Sequence, residues 1–239
     1  NEKPFKGING SGKHNNWSIA APGLNMLNPG DDPAHNYIFL LSLAAVIQAV
    51  DDYQELLRAT VASAGNDHRL GANEAPPAIV SIFLGDELTS IVDAIAAGED
   101  AVSHKMGRMD LGSEVLPSLE QDNTDRNRTS PFAFTGNRFE FRMPGSELNL
   151  SSPNTVLNAA VAKSFKEYAD RLEAATDVEA EALAICREVF NDHKRIIFNG
   201  NGYSEEWPIE AERRGLANNR TTPDALQAYI KPESIQLID

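Results

Sequence analysis

One segment restricts the folds open to this 239-residue chain more than any other: residues 7–18 read Gly-Ile-Asn-Gly-Ser-Gly-Lys-His-Asn-Asn-Trp-Ser. The segment nearly spells a Walker-type loop, G-x-x-x-x-G-K-[ST], which needs a strand before it and a helix after it. The last position of that motif must carry a hydroxyl group that ligates magnesium, but here it is His14. The preceding residues are polar, and Trp17 and Ser18 indicate a short strand instead of a helix. A P-loop nucleotide-binding fold is therefore only a distant alternative.

Charge and cysteine content exclude several classes of function. The formal net charge of -14 argues against broad binding to nucleic acid or an anionic membrane, because both depend on a positive surface potential. An anionic substrate must therefore be held by a local cluster of arginines. Cys186 is the only cysteine, and its helical context predicts a buried core thiol. The longest apolar run, residues 37–50, is shorter than the ~20 residues that a membrane span needs.

Hydrophobic periodicity predicts a mixture of helices and short strands. The predicted segments are one or two helices at 37–64, a loop at 63–77, a strand at 79–84, a helix at 86–98, a long loop at 99–124, and helices from residue 152, over 178–193 and over 205–214. The pair Asp51-Asp52 predicts a break within the first helical segment. Two short runs on either side of Gly136-Asn137 predict a β-hairpin.

Arginine and glutamate alternate with phenylalanine near the middle of the chain. Arg138, Glu140 and Arg142 would lie on one face of a strand, while Phe139 and Phe141 would point into a core. A carboxylate between two arginines stays ionised and can bind a cation, and guanidinium groups suit phosphate or carboxylate. A solvent-facing strand with alternating charges would have the same pattern.

Three other groups have both a functional and a structural explanation. Arg126 and Arg128 add cations near that strand, or they lie in a solvated loop. His14 follows a glycine-rich turn and is either a metal ligand or a histidine in ordinary hydrogen bonds. Arg69 and Glu74 lie in a segment with the Gly/Asn/Pro composition of a movable lid, although acids in loops are usually only solvated.

Four motifs stand in a fixed order along the chain. They are Asn-Gly-Ser-Gly-Lys-His at 9–14, Arg-Leu-Gly-Ala-Asn-Glu-Ala-Pro at 69–76, Asn-Arg-Thr-Ser at 127–130 and Arg-Phe-Glu-Phe-Arg at 138–142. Together they resemble the catalytic domain of glutamine synthetase. The wording Gly-Lys-His-Asn-Asn-Trp-Ser, and the tail Asn-Gly-Asn-Gly-Tyr-Ser-Glu-Glu-Trp-Pro from residue 199, is similar to the type III branch of that family.

The resemblance implies an α+β fold in which an antiparallel sheet forms the active site and helices pack outside it. Residues 1–198 would be part of the catalytic domain, and residues 199–239 the start of a type III-like C-terminal extension. Further metal-binding glutamates and an N-terminal domain would lie upstream, so we expect the chain to be a fragment that is inactive by itself. We also expect a cytoplasmic homo-oligomer, a ring with active sites between subunits, and neither nucleic acid nor membrane as a partner.

The implied activity joins glutamate and ammonia with ATP through a γ-glutamyl phosphate, and Mg²⁺ or Mn²⁺ is the implied cofactor. By resemblance, the metal ligands are His14 and Glu140, and the residues that bind glutamate are Asn9, Gly10, Arg69 and Arg142. The resemblance also implies that ATP is contacted by Asn16, Ser18, Arg128 and Arg138. The implied catalytic residues are Glu74 and Arg128. Arg128 would meet the transferring phosphoryl group. Glu74 would close over the intermediate and help to take a proton from ammonium.

The chain departs from the family pattern at several positions. The family commonly has a second histidine where Asn16 stands. One residue fewer separates Arg69 from Glu74 than in the commoner branch, so His68 is an alternative to Arg69. The spacing between Arg128 and Glu140 is also shorter, which leaves Arg138 as a stand-in for a nucleotide contact.

Two alternatives to glutamine formation stay open: a synthetase-like scaffold or regulatory protein without catalysis, and a ligase that joins glutamate to another amine. The resemblance also makes a geometric prediction. His14 and Glu140, which are 126 residues apart, should lie on neighbouring strands, close enough to share one metal ion.

Overall fold

A computed structural model shows a small sheet covered by helices, and it describes residues 10–71, 75–102 and 129–238 together with the backbone of 108–109 and 119–120. The strands are β1 (Asn15–Trp17), β2 (Ala20–Ala21), β3 (Leu24–Asn25), β4 (Ile82–Phe83), β5 (Arg108–Met109), β6 (Leu119–Glu120), β7 (Phe132–Phe134) and β8 (Phe139–Phe141). The α-helices are α1 (Tyr37–Asp52), α2 (Gln54–Thr60), α3 (Ala64–Arg69), α4 (Asp86–Ala97), α5 (Ser151–Ala174), α6 (Val178–His193), α7 (Glu206–Arg213), α8 (Thr222–Leu226) and α9 (Pro232–Ile238). Two 3₁₀ helices span Lys194–Ile196 and Gln227–Ile230.

The central sheet has four strands in the order β1-β8-β7-β4. β8 pairs antiparallel with β1 and with β7, whereas β4 pairs parallel with β7. The predicted mixture of helix and sheet is therefore confirmed, and the parallel pairing of β4 with β7 departs from the predicted antiparallel sheet at this edge. The physical reason is connectivity, because the chain between β4 and β7 contains α4 and is long enough for the crossover that parallel pairing requires.

The hairpin and the alternating burial of β8 are both confirmed. Gly136, at φ 89°, lies in the turn between β7 and β8, where the amide of Thr135 donates to the carbonyl of Arg138. Phe139 and Phe141 are fully buried. The ring of Phe132 stacks on that of Phe139 with the centroids 4.9 Å apart, so the aromatic face of the hairpin belongs to the core.

The helical core is built around α1, which has no charged residue before its last turn. Its N-terminus is capped by Asn36, whose side chain accepts from the amide of Phe39. The helix ends at Asp52 and α2 begins at Gln54, as the predicted break required. α1 packs against α5 and α6. Cys186 of α6 is fully buried, which confirms the predicted core thiol, and burial raises its pKa to about 12.

The segment predicted as a loop at 63–77 begins as a helix, so that prediction is wrong for α3. Ser63 is the reason, because its hydroxyl accepts from the amide of Asn66 and caps the helix. Asn66 and Arg69 are buried, although neither belongs to an apolar stripe. Most of the predicted loop at 99–124 lies outside the described residues.

The C-terminal tail packs back onto the rest of the fold. Trp207 of α7 stacks on Phe198 with centroids 3.6 Å apart, and the guanidinium of Arg214 lies 5.7 Å from both ring centroids. The predicted charged helix at 205–214 is confirmed as α7. Within the ranges given above, no helix is both long and apolar enough to cross a membrane.

Candidate active site

The pairing of β1 with β8 places the alternating polar residues of both strands on one face. Asn16 lies directly opposite Glu140 in the register, and every second residue of a strand points to the same side. This face, which we call the ribbon face, carries His14, Asn16, Ser18, Arg138, Glu140 and Arg142. Six of the residues predicted for metal, glutamate and ATP binding are therefore brought together.

Glu140 lies at the centre of the ribbon face and contacts a neighbour on each side. Its Oε1 is 2.7 Å from Nδ1 of His14, and its Oε2 accepts from Nε and Nη2 of Arg142 at 2.9 and 2.8 Å. The predicted closeness of His14 and Glu140 is confirmed, with His14 one residue before β1. The His14 side chain is half exposed, whereas those of Glu140 and Arg142 are 16% and 8% exposed.

The charge of Glu140 is set by two opposing effects. Partial burial of the carboxylate acts to raise its pKa, but the hydrogen bond and the positive charge of Arg142, with a smaller contribution from His14, outweigh burial. The pKa of Glu140 therefore lies below its ordinary value. The site presents an ionised carboxylate, as binding of a cation requires.

The donor types at this point suit a divalent cation. An imidazole nitrogen and a carboxylate oxygen face each other across 2.7 Å, and Mg²⁺ or Mn²⁺ accepts such oxygen and nitrogen ligands. In the described ranges, no group of three His, Cys, Asp or Glu side chains is placed to hold a metal ion. The nitrogen and oxygen donors of His14 and Glu140 suit two ligands of such a cation.

The side chains on the opposite face of β1 form hydrogen bonds with helix α5. Nδ2 of Asn15 donates to Oδ1 of Asn154 at 2.7 Å, and Nε1 of Trp17 donates to Oδ1 of Asn158 at 2.9 Å. Residues two apart on a strand are separated by about 6.6 Å and residues four apart on a helix by about 6 Å, so the two spacings match. This clamp was not predicted, and its sequence signal is the pair of asparagines four residues apart.

The glycine-rich turn continues the pairing beyond β1. The amide of Lys13 donates to the carbonyl of Pro144 at 2.9 Å, and Gly12 bridges Gly145. A Cβ atom added at Gly12 would overlap Nη2 of Arg69. A side chain at position 12 would therefore displace the guanidinium group over which the backbone passes.

Arg69 is buried beneath the chain segment that follows β8. Its Nη1 donates to Oδ1 of Asn66 and to the carbonyl of Met143, at 3.0 and 2.9 Å, and its Nη2 donates to the carbonyl of Arg142 at 3.1 Å. Arg69 thus supports the main chain of a ribbon-face residue, and its binding of a glutamate carboxylate stays a prediction. The alternative, His68, is exposed on the same helix.

The residues predicted to contact ATP lie towards the hairpin end of the ribbon face. Ser18 donates to Oδ1 of Asn25 at 3.0 Å and lies 3.3 Å from the carbonyl of Asn137. Asn16 and Arg138 are exposed. The other predicted site residues, Asn9, Glu74 and Arg128, lie outside the described residues.

A second charged cluster joins the C-terminal ends of α1 and α6. Asp51, which is buried, accepts from Nε of Arg195 at 2.9 Å and lies 2.9 Å from Nδ1 of His193. Burial acts to lower the pKa of His193, but the hydrogen bond to Asp51 and the charges of Asp52, Asp51 and Asp192 outweigh it and raise the pKa. The cluster therefore joins two core helices through a histidine whose pKa is raised in the folded protein.

The ribbon face has the residue types of a site for a divalent cation together with an anionic ligand. Comparisons with known proteins identify the family to which the chain is similar. Residues 181–239 match the glutamine synthetase C-terminal domain. The chain is 48% identical over 240 residues to the type-3 glutamine synthetase of Dictyostelium discoideum, covering 99% of this chain and 33% of that protein. It is 45% identical to the glutamine synthetase of Butyrivibrio fibrisolvens (99% of this chain, 34% of that protein) and 46% identical to that of Bacteroides fragilis (98% and 33%). The chain therefore belongs to the glutamine synthetase family, and it spans about a third of the length of these curated relatives.

Proposed function

We propose that the full-length protein is an ATP-dependent ligase that forms glutamine from glutamate and ammonia through a γ-glutamyl phosphate. The observation that carries the proposal is the register of β1 with β8, because it brings His14, Glu140 and Arg142 into one connected group. Membership of the glutamine synthetase family gives this group its chemical context.

The proposed chemistry develops negative charge on phosphoryl oxygens in both of its steps. A Mg²⁺ or Mn²⁺ ion held by His14 and Glu140, with ligands from outside this chain, would neutralise that charge when bound. Arg142 and the Gly10 backbone would orient glutamate together with Asn9. The ionised Glu140 is oriented by Arg142, so the metal and glutamate positions depend on one another.

The remaining assignments follow from the motif order. Asn16, Ser18 and Arg138 would contact ATP from the hairpin end of the ribbon face. Arg128 would stabilise the transferring phosphoryl group, and loss of such a cation costs on the order of 10³-fold in rate. Glu74 would exclude water and help to deprotonate ammonium. The proposal includes assembly into a homo-oligomeric ring, with active sites shared between neighbouring subunits.

The decisive experiment assays the full-length protein for glutamine, ADP and phosphate, with ammonium and with a panel of primary amines, in the presence of Mg²⁺ or Mn²⁺. We expect glutamine formation that chelation of the metal abolishes. Preference for another amine would favour a γ-glutamyl-amine ligase. A folded oligomer without ATP turnover under any of these conditions would favour the scaffold. The connected group of His14, Glu140 and Arg142 supports catalysis, since a scaffold does not need it.

A further inference from the structure

We propose that Arg58 and Asp67 are positioning residues that couple the C-terminal segment at residues 219–222 to the ribbon face. The inference rests on the proposed function for its kinetic consequence, while its structural consequence can be measured without any activity. The coupling passes from the tail to α3, from α3 to the main chain after β8, and from there to Arg142 and Glu140.

Arg58 is an almost completely buried cation on α2, at 1% exposure. Its Nη2 donates to Oδ1 of Asp67 at 2.7 Å, and its Nε donates to the carbonyl of Asn219 at 2.9 Å. Nη2 also lies 3.4 Å from the carbonyl of Arg220. A buried guanidinium needs a charged partner with good geometry, and Asp67 is that partner.

Asp67 uses its second oxygen to hold the tail. Oδ2 accepts from the backbone amide of Thr222, the first residue of α8, at 2.6 Å. One carboxylate therefore accepts from a side chain of α2 and from the main chain of the tail. Both partners of Asp67 are hydrogen-bond donors. An asparagine at position 67 would therefore direct its NH₂ group at one of these donors, and that hydrogen bond would be lost.

Asp67 lies on α3 between the two residues that hold the chain after β8. Asn66 donates to the carbonyl of Met143 at 3.0 Å, and Arg69 donates to the carbonyls of Arg142 and Met143 at 3.1 and 2.9 Å. A shift of α3 therefore moves the backbone of Arg142. Since Arg142 orients Glu140, such a shift reaches the centre of the ribbon face.

Two buried polar side-chain atoms at this junction have no hydrogen-bond partner among the described residues. Among the described residues, buried side-chain atoms without a hydrogen-bond partner include Nη1 of Arg58 and Oγ1 of Thr222, and both belong to this junction. Buried polar atoms are nearly always paired in native proteins, so an unpaired group requires an explanation. A requirement for the position of α3 provides one.

The tail also has anchors that do not involve α3, and these provide a control. The amide of Ala217 donates to Oε1 of Gln54 at 2.8 Å, and Asn219 donates to Glu55 at 3.2 Å. Glu55 also pairs with Lys231. Glu55→Gln therefore removes a side-chain anchor of the tail by the same acid-to-amide change as Asp67→Asn, but the contacts of Asp67 with Arg58 and with the Thr222 amide remain.

The test uses the full-length protein with Asp67→Asn and Glu55→Gln. We expect Asp67→Asn to raise KM for glutamate about tenfold, with a smaller change in KM for ATP, because a shifted Arg142 misplaces glutamate. Hydrogen exchange at residues 140–143 should become faster in Asp67→Asn, since the Arg142 amide bonds to the Pro131 carbonyl. Glu55→Gln should lower the melting temperature without changing KM for glutamate or that exchange.

Unchanged exchange at residues 140–143 and unchanged KM for glutamate in a folded Asp67→Asn protein would overturn the positioning role. If Asp67→Asn does not fold, Arg58→Lys decides by the same measurements, because lysine keeps the charge but cannot reach Asp67 and the Asn219 carbonyl together. Absence of glutamine formation by the unmodified protein would refute the proposed function alone. The comparison of hydrogen exchange at residues 140–143 between Asp67→Asn and Glu55→Gln would then still test whether Asp67 positions the backbone of Arg142.

Discussion

Nδ1 of His14 lies 2.7 Å from Oε1 of Glu140, although 126 residues separate them in the chain. The contact exists because the antiparallel register of β1 and β8 sets Asn16 opposite Glu140, and His14 lies on the same side two residues earlier. Glu140 is held from its other side by Arg142. The two proposed metal ligands are thus positioned by a sheet and a guanidinium group.

Replacement of Glu140 by alanine should remove the carboxylate that links these groups. In the full-length protein we expect glutamine formation to fall by on the order of 10³-fold, because developing phosphoryl charge loses its neutralising cation. Steady-state assays across a Mg²⁺ and Mn²⁺ titration measure the effect. Glu173→Ala, an exposed change on α5, is the matched control. Full activity of the Glu140 variant at ordinary metal concentrations would refute the metal assignment.

Arg142→Lys should separate the effect of the positive charge at position 142 from the effect of its hydrogen-bond geometry. Lysine keeps the positive charge but cannot supply the paired donors that Glu140 accepts, so we expect KM for glutamate to rise about 10- to 100-fold. Kinetics with glutamate as the varied substrate provide the measurement, and Arg213→Lys on the exposed side of α7 provides the control. Equal KM values for the two lysine variants would contradict the role of Arg142.

Gly12→Ala should disturb the site through Arg69. The new methyl group would overlap a guanidinium that is held by three main-chain carbonyls, and relief of such overpacking costs about 1–3 kcal/mol. We expect a lower melting temperature together with weaker glutamate binding. Ser11→Ala, one residue away and exposed, should change neither quantity. A Gly12 variant with the stability of the unmodified protein would show that Arg69 moves aside freely.

Some parts of this site could be predicted from the sequence and others could not, and the physical reasons differ. The period-two alternation at 138–142 correctly predicted which side chains share a face, since side-chain direction in a strand is a local property. The partner of that strand is 126 residues away, and only the family motif order brought the two segments together. Helix α3 was missed because it lacks an apolar stripe and is held by polar contacts of Ser63, Asn66 and Arg69.

Glu74→Ala tests a residue outside the described part of the structure. If Glu74 excludes water and helps to take a proton from ammonium, its loss should let the acyl phosphate escape capture by ammonia. We expect ATP hydrolysis, or cyclised glutamate, to exceed glutamine formation. Parallel measurement of phosphate, glutamine and cyclised glutamate gives the coupling ratio, with Glu99→Ala as an exposed control. A ratio equal to that of the unmodified protein would remove the proposed role.

His193 should make stability depend on pH. Its pKa is raised in the folded protein by Asp51 and the neighbouring acids despite burial, so the folded state binds the proton more tightly than the unfolded state does. The stabilisation is therefore fully present below the ordinary histidine pKa of about 6.5 and is lost as pH rises through the folded-state value. We expect His193→Gln to lower the melting temperature near pH 5 and to have a smaller effect by about pH 8.

Thermal unfolding of the full-length protein between about pH 5 and about pH 8 measures this difference between His193→Gln and the unmodified protein. Asn218→Gln, an exposed change that removes no titratable group, provides the control and should leave the pH dependence unchanged. A His193→Gln effect that is constant with pH would show that the Asp51 contact is insensitive to protonation.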